Sequence, residues 1–212
     1  MIKLENPNIV GFEDAMRGMR NPMNSWNRSD THMQFDKYGF SSEVIIGDND
    51  LDLAERLAIA GSVHAKYRRM IIVYVDVTAP LYWWKEFDTY KIGTVANSCS
   101  TMHKIQDKEF ELSDFSHEHL NAGSLETLKR VIWNLNVGLS EYLRSKDKDH
   151  WWQMIQLLPA SYNQKRTVMM NYEVLANIYE SRKKHKLDEW REFCAWIENL
   201  PYSEEMIMIH PE

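Results

Sequence analysis

The chain of 212 residues has the length and composition of an ordinary globular protein. Apolar residues make up 44% and charged residues 26% of it, which excludes disordered, collagen-like and coiled-coil classes. The formal net charge of −6 removes the long-range attraction on which nucleic-acid binding depends, so we expect no nucleic-acid partner. We predict a single domain over residues 1–212.

Several features predict where the protein resides. The N-terminal residues lack a basic segment followed by an apolar one, and no run approaches about 18 apolar residues, so we expect neither a signal peptide nor a membrane span. Cys99 and Cys194 are the two cysteines, and two distant cysteines do not make a disulfide framework. We therefore expect a cytoplasmic protein.

The first part of the chain predicts one edge strand, one loop and one helix. Residues 1–11 alternate weakly between apolar and polar, which favours a strand at the edge of a sheet that is broken by Pro7. Residues 20–40 are rich in Asn, Ser and Asp and predict a long loop that is either functional or mobile. Asp50 or Asp52 is expected to cap a helix that stops at Gly61.

The middle of the chain begins with its clearest strand signal. Residues 70–77 are mostly β-branched and apolar, which predicts a strand, and Ala79-Pro80 ends it. Residues 81–92 carry aromatic side chains at helical spacing and predict a helix.

The remainder is predicted to be mostly helical. A helix starts at Ser124 and runs to residue 145, and later segments predict a helix over 146–159, a strand over 162–171 and helices over 173–185 and 187–201. In the last helix an apolar face is predicted to point inward, with Trp190, Phe193, Cys194 and Ile197. The fold class is α+β and helix-rich.

Cys99 lies among small polar residues in ANSCST, which can bring the backbone close to a ligand. One interpretation makes it a nucleophile or a thiol that contacts a ligand. The other, commoner for a free cysteine, is a buried and inert side chain. The segment Ser116-His117-Glu118-His119 does not predict a metal site, because no second cluster supplies further ligands.

A helix near the C-terminus combines amide side chains with a guanidinium. At helical spacing, one face with its flanks carries Asn171, Val174, Leu175, Asn177, Ile178 and Arg182. Buried amides need partners, so this pattern is unusual for a core face. Amides and a guanidinium suit the edge of a heterocyclic base or a cofactor ring. The alternative is that the basic run from Arg182 only complements the helix dipole.

These residues also carry a family resemblance. The segment LLPASYNQKRTVMMNYEVLANIYESRKKHKLDEW resembles the C-terminal segment of the flavin-dependent thymidylate synthases, and the matching positions are Pro159, Asn171, Asn177, Arg182 and Asp188-Glu189-Trp190. The central strand, Ala-Pro and aromatic-rich helix are similar too. His64 stands where the family often has a flavin-contacting His. The resemblance covers residues 50–104 and 150–200.

Other family positions carry different residues here. At the place of the family's Arg-His-Arg this chain has Thr89-Tyr90-Lys91. The family's Gln is Glu86 here, its Glu is Asn97, and its Ser is Cys99, or Ser100 with a one-residue shift. The two further Arg positions hold Thr101 and Ile155. In the family these residues hold the nucleotide phosphate and the flavin. Their replacement removes bidentate phosphate recognition, worth about 1.5–3 kcal/mol for each charge-assisted bond.

The resemblance implies the family's helix-rich fold with a central antiparallel sheet, assembled as a homotetramer. It implies FAD as cofactor and the methylation of dUMP with methylenetetrahydrofolate as carbon donor. The implied catalytic residues are Arg182, which would face the pyrimidine, Cys99 and Ser100. The implied cofactor-binding residues are His64, Lys91, Asn171 and Asn177, and the implied substrate-binding residues are Glu86, Lys165, Arg166 and Arg182.

Two alternatives remain beside this hypothesis. The missing Arg-His-Arg favours a catalytically silent homologue that uses the same fold to bind another ligand or a protein partner. The other alternative is a helical assembly protein without a small-molecule site.

Overall fold

A computed structural model of the protein describes residues 2–39 and 41–209, with the backbone alone at residues 41 and 42. The strands are β1 (Lys3–Val10), β2 (His32–Phe35), β3 (Ser41–Ile45), β4 (Ile72–Pro80), β5 (Val95–Ser98) and β6 (Asn163–Asn171). The helices are α1 (Phe12–Met19), α2 (Asp48–Ile59), α3 (Leu81–Phe87), α4 (Thr101–Lys104), α5 (Ala122–Ser145), α6 (Lys148–Leu157), α7 (Tyr172–Arg182), α8 (Asp188–Glu198) and α9 (Ser203–Met206).

Four strands form one sheet in the order β1-β4-β6-β5, and β2 pairs with β3 in an antiparallel hairpin. The predicted helix-rich α+β fold with a central antiparallel sheet is confirmed. The prediction of an edge strand at the start of the chain is also confirmed, since β1 lies at one end of the strand order. The predicted break at Pro7 is wrong, because β1 runs from Lys3 to Val10 without interruption. Pro7 is tolerated there because an edge strand can spare a backbone donor.

The chain divides into two compact units and passes from one to the other inside β4 and β6. The first unit contains Asp76–Thr89 and Ala96–Thr167, together with the first residues of the chain. The second contains Leu4–Val75, Tyr90–Val95 and the chain from Val168 onward. The single domain remains a prediction. In the described part of the chain no helix is both long enough and apolar enough to cross a membrane.

The first unit is built around the packing of α5 on α6. Their apolar faces belong to one buried cluster: Ile105, Phe110, Phe115, Leu128, Ile132, Leu135, Leu139 and Met154. Gly138 allows the close approach, because a β-carbon there would lie 3.3 Å from the Met154 Cγ atom. The predicted helix start at Ser124 is wrong: the side chain of Asn121 caps α5 by accepting a hydrogen bond from the Ser124 amide.

The core of the second unit is mostly helical. The predicted inward residues of the last long helix are confirmed, since Trp190, Phe193, Cys194 and Ile197 are buried in α8. Tyr172 joins two segments, because its amide donates to the Ile71 carbonyl and its hydroxyl donates to the Pro201 carbonyl.

Asp50 is a buried charge of the second unit with several hydrogen-bond partners. Its carboxylate is fully buried and accepts hydrogen bonds from Arg20 Nε at 2.7 Å, Ser29 Oγ at 2.6 Å and Thr31 Oγ1 at 2.7 Å. The backbone amides of Asp30 and Thr31 donate to it as well. Burial alone raises the pKa of Asp50, but these hydrogen bonds outweigh burial and hold the pKa below its ordinary value.

The predicted cap of α2 is wrong, and its actual cap comes from a distant residue. Asp30, not Asp50 or Asp52, accepts hydrogen bonds from the Asn49 and Asp50 amides at the start of α2. The residue at the N-cap position is Gly47, where a β-carbon would lie 2.2 Å from the Asp30 side chain. The predicted stop at Gly61 is confirmed, because Gly61 has a φ of 95° and donates to the Ala58 carbonyl.

Two other segments differ from their predicted form. The helix predicted over 81–92 ends at Phe87, where the Thr89 hydroxyl donates to the Glu86 carbonyl. The region 20–40, predicted as a loop, contains 3₁₀ turns at Asn21–Met23 and Trp26–Arg28 and then β2, while residue 40 lies outside the described residues. The strand predicted over 70–77 is confirmed as β4, which extends further to Pro80.

We predict that Asp50→Ala lowers the free energy of unfolding by about 3–5 kcal/mol, because it leaves the buried Arg20 guanidinium without its counter-ion. Asp52→Ala is the matched control: Asp52 forms an exposed ion pair with Arg56, so its removal should cost at most about 1 kcal/mol. Urea unfolding followed by circular dichroism measures both values. Equal losses for the two variants would contradict the role given to Asp50.

Candidate functional site

A cavity of about 870 Å³, here called the basic cavity, lies in the second unit. Its lining consists of Gly18, Met19, Arg20, Pro22, Met23, Asn24, Ser25, Asn27, Arg28, Leu53, Arg56, Leu57, Val63, His64, Lys66, Tyr67 and Met70. The segment 20–28 forms one side of it, and Asp50 fixes that segment through Arg20 and Ser29. The predicted site residue His64 therefore faces a preformed space.

The basic cavity combines positive charge with apolar surface. Arg28, Arg56 and Lys66 line it with His64, and none of its described lining residues is acidic, although Arg56 pairs with Asp52 outside the lining. Met23 and Val63 add large exposed apolar side chains. Such a lining suits an anion that carries an apolar or aromatic part. Its volume lies within the range of small-molecule sites, about 300–1,000 Å³.

A second cavity of about 250 Å³, here called the Arg68 cavity, is lined by Ala58, Gly61, Ser62, Arg68, Glu173, Ala176, Asn177, Glu180 and Ile209. The side chain of Arg68 is only 6% exposed, and Arg68 Nη1 lies 3.8 Å from Glu173 Oε2, beyond hydrogen-bond distance. Arg68 Nε, Arg68 Nη2 and Glu173 Oε2 are buried without a hydrogen-bond partner. The cavity thus offers donors and an acceptor that a ligand can satisfy.

The two cavities share one turn of the chain. Gly61 and Ser62 line the Arg68 cavity, and the next residues, Val63 and His64, line the basic cavity. Gly61 closes α2 and starts this turn, because its carbonyl accepts from the amides of His64 and Ala65. The end of α2 therefore positions the predicted site residue His64, and the same turn lines the Arg68 cavity opposite Asn177 of α7.

The three polar residues predicted on one face of the C-terminal helix have three different environments. Asn171 caps α7, since its side chain accepts a hydrogen bond from the Val174 amide at 3.0 Å. Asn177 is exposed and lines the Arg68 cavity, while Val174 and Ile178 are buried. Arg182 is half-buried at the end of the helix. The prediction that Asn171 opens a helix is confirmed, and the ligand contacts of all three remain predictions.

Arg182 is held by two aromatic rings. Its Nε donates to the Tyr90 hydroxyl at 3.0 Å, and its guanidinium lies 4.8 Å from the centroid of a Trp190 ring. Cation–π contacts of this kind are worth about 0.5–2 kcal/mol. Lys91, next to Tyr90, is exposed. Arg182 thus has a fixed orientation set by residues of its own unit.

In the first unit, Lys165 and Arg166 form ion pairs. Lys165 Nζ lies 3.2 Å from Asp76, and Arg166 Nη1 lies 2.7 Å from Asp88. The Arg166 guanidinium also stacks 4.1 Å from the Trp84 ring centroid. The positive charges of Lys165 and Arg166, the candidates for phosphate contacts, are therefore already partly neutralised. Glu86, another predicted substrate contact, is half-buried on α3.

The interpretation of Cys99 as a buried, inert thiol is wrong. Cys99 follows the exposed edge strand β5 and is itself exposed, although its amide donates to the Lys165 carbonyl. Ser100 uses its hydroxyl to cap α4, accepting from the His103 amide at 3.1 Å. The catalytic roles of both residues remain predictions.

The sequence did not single out Arg68, Glu173, Arg28 or Arg56. Arg68 belongs to a basic run, Lys66 to Arg69, directly before the clearest strand, and this run was the available signal. The burial of Arg68 depends on contacts with α7 that no local pattern predicts. Among the described residues, no group of three or more His, Cys, Asp and Glu side chains could hold a metal ion.

Comparison with known proteins extends the sequence resemblance to the fold. No protein-family model and no curated protein sequence matches the chain. The thymidylate synthase ThyX of Helicobacter pylori, solved with FAD and dUMP, has a similar structure at 16% identity, with a TM-score of 0.68 over 98% of both chains. A second structure of that enzyme with FAD and dUMP is described as a flavin-dependent thymidylate synthase. It has 17% identity and a TM-score of 0.68 over 97% of this chain and 98% of that chain.

A third similar structure is the UMP/dUMP methylase PolB of Streptomyces cacaoi, bound to 5-Br dUMP. It has 13% identity and a TM-score of 0.61 over 97% of this chain and 94% of that chain. The fold is therefore that of the flavin-dependent thymidylate synthases, and the predicted resemblance is confirmed at this level.

We predict that a thiol reagent such as DTNB modifies one cysteine of the native protein rapidly and the second only after unfolding. Cys99 is exposed, whereas burial raises the pKa of Cys194 to about 11 and keeps it protonated. Absorbance of the released thiolate counts the reactive groups. Cys99→Ser should leave no rapid phase, and rapid modification of that variant would contradict the assignment.

Proposed function

We propose that the protein is a divergent flavin-dependent thymidylate synthase-like protein that binds FAD and a pyrimidine nucleotide. The observation that carries the proposal is the buried Arg68–Glu173 pair with unsatisfied donors and an unsatisfied acceptor facing a cavity. Leaving such groups without partners costs about 1–3 kcal/mol each, and a bound ligand would offset that cost. The fold and the adjoining basic cavity support the same function.

The described residues fit FAD. A flavin presents two carbonyl oxygens on either side of an N–H along one ring edge, which complements the Arg68 donors, the Glu173 acceptor and the Asn177 amide. Arg28, Arg56 and Lys66 would hold the pyrophosphate, with His64 beside them. When bound, FAD would supply hydride chemistry, while these side chains bind and orient it. Lys91 and Asn171 complete the proposed cofactor-binding residues.

We propose methylation of dUMP as the reaction. Arg182 would orient the pyrimidine, because Tyr90 and Trp190 fix the direction of its guanidinium. Cys99 and Ser100 are the other proposed catalytic residues. Glu86, Lys165 and Arg166 are the proposed further substrate contacts. FAD binding is the first requirement of this reaction and can be tested separately.

We predict that Arg68→Met combined with Glu173→Met weakens FAD binding at least about tenfold, because hydrogen bonds to charged groups are worth about 1.5–3 kcal/mol each. The same change should leave the free energy of unfolding unchanged or raise it, since apolar side chains of similar volume replace a poorly satisfied buried pair. Fluorescence quenching of FAD on titration with protein measures the affinity, and urea unfolding measures the stability.

Arg69→Met is the matched control. Arg69 is the exposed neighbour of Arg68 and donates to the Ser62 carbonyl, so its loss should leave FAD affinity within about twofold. Equal FAD affinity of the double variant and the wild-type protein would remove the Arg68 cavity from the proposal. A wild-type protein that does not bind FAD would contradict the proposed function itself.

A catalytically silent homologue is the second candidate, and one observation favours it. Tyr90 occupies the middle of the segment where the family has Arg-His-Arg, and its hydroxyl accepts the Arg182 Nε hydrogen bond. Arg182 is therefore already engaged within its own chain. In this case the protein would bind a nucleotide or another partner without methylating it.

We predict that Arg182→Ala abolishes dUMP binding at the proposed substrate site while the assembly, proposed as a cytoplasmic homotetramer, keeps its mass in light scattering. Lys184→Ala, an exposed cation two residues further on, is the control and should bind dUMP as the wild type does. Isothermal titration calorimetry measures the binding. An unchanged number of dUMP sites in Arg182→Ala would rule out its role.

Release of tritium from C5-labelled dUMP separates the two candidates. Methylation replaces the hydrogen at C5, so an active protein releases tritium with FAD, a reductant and methylenetetrahydrofolate present. Binding of dUMP without release identifies the silent homologue.

A further inference from the structure

The first unit contains a cavity of about 460 Å³, here called the lysine cavity, which the proposed function does not use. It is lined by Met102, His103, Tyr142, Lys146, Lys148 and Trp151. Two of these residues come from α4, one from the end of α5, one from the connection to α6 and two from α6 itself. Its volume lies within the range of about 300–1,000 Å³ for small-molecule sites.

The backbone between α5 and α6 brings the two lysines to the same cavity. Lys146 has a φ of 58°, a left-handed conformation that ends α5, and its amide donates to the Tyr142 carbonyl. Asp147 then caps α6, whose first residue is Lys148. Because only Lys146 and Asp147 separate α5 from α6, the two lysines lie at the same turn of the chain.

The charge of the lysine cavity is cationic. Lys146, Lys148 and His103 line it, and none of its described lining residues is acidic. Two nearby carboxylates are engaged by other cations: Glu141 pairs with Arg144, and Asp107 pairs with Lys104 at 2.8 Å. Asp147, between the two lysines, accepts a hydrogen bond from the Asp149 amide at the start of α6. Two lysines and a histidine without a lining carboxylate favour an anionic ligand.

Aromatic and apolar side chains form the rest of the lining. Tyr142 and Trp151 pack partly against the buried cluster of the first unit, which fixes their rings while part of each side chain faces the cavity. Lys146 Nζ lies 5.6 Å from the centroid of the Tyr142 ring, so a cation and an aromatic face stand side by side. Met102 is 47% exposed and adds an adaptable apolar surface.

We propose that the lysine cavity binds an aromatic ring that carries a phosphate monoester, with the size of a nucleoside monophosphate. The phosphate lies against Lys146 and Lys148, with His103 as a third donor, and the ring packs against Tyr142, Trp151 and Met102. All lining residues belong to the first unit and none of them is among the proposed FAD contacts. The site is therefore independent of the basic cavity and the Arg68 cavity.

The methyl group of Met102 provides a local readout. We would label the methionine methyl groups with ¹³C, assign the Met102 signal by its loss in Met102→Leu, and titrate the protein with dUMP and with AMP. An aromatic ring packed in the cavity should shift this signal by its ring current, and the shift should saturate. The two nucleotides distinguish a pyrimidine site from a purine site.

The variants test the role of the charges. Lys146→Gln combined with Lys148→Gln should lower the affinity for the nucleotide that shifts the Met102 signal by at least about tenfold. Lys146→Arg combined with Lys148→Arg should keep most of the wild-type affinity. Lys129→Gln, an exposed lysine paired with Glu126 on α5, is the control and should bind as the wild type does. Deoxyuridine and adenosine, which lack the phosphate, should bind at least tenfold more weakly than their monophosphates.

Two results would overturn the inference. One is a Met102 signal that neither nucleotide shifts, and the other is an unchanged affinity in the Gln double variant. Either result in a protein that binds FAD would leave the proposed function standing. Conversely, a protein that does not bind FAD but shows the Met102 shift would retain this site while the proposed function fails.

Discussion

The buried carboxylate of Asp50 is the interaction on which the second unit most depends. It accepts hydrogen bonds from a guanidinium, two hydroxyls and two backbone amides of residues 20–31, and so holds these residues at the first turn of α2. A segment with so few apolar residues has little else to fix its path. Since this segment forms one side of the basic cavity, the shape of that cavity follows from a single satisfied charge.

The charges of Arg68 and Glu173, by contrast, are incompletely hydrogen-bonded. Their closest atoms are 3.8 Å apart, and three of their polar atoms have no partner, whereas Arg20 and Asp50 meet at 2.7 Å. A fold that can satisfy one buried pair fully has no general need to leave another incomplete. The contrast between neighbouring pairs in one unit is the reason for assigning ligand binding to the Arg68 cavity.

Periodic patterns predicted the long helices α2, α5, α7 and α8 and the strands β1, β4 and β6, because burial of one face leaves a direct trace in the sequence. The shorter elements α1, β2, β3, β5 and α9 were not predicted. The apolar stripe of α5 and the inward face of α8 are examples. Helix boundaries were predicted less well, since Asp30 caps α2 from a position 19 residues away. The candidate site was the hardest part: Asn177 and Arg182 share a helix but have different surroundings, and Arg68 becomes notable only through its contacts with α7.

Gly93 links the segment after α3 to the start of α7. It has a φ of 76°, and a β-carbon there would lie 2.8 Å from the Asn171 side-chain nitrogen and 3.1 Å from Val174. Both the backbone conformation and the lack of space therefore favour glycine over other residues at this position. In evolutionary terms, substitutions at Tyr90 and Lys91 can alter the chemistry presented by this segment, while Gly93 keeps its path and the helix cap beneath it unchanged. The chain can thus diverge in function at these positions without redesigning the fold that supports them.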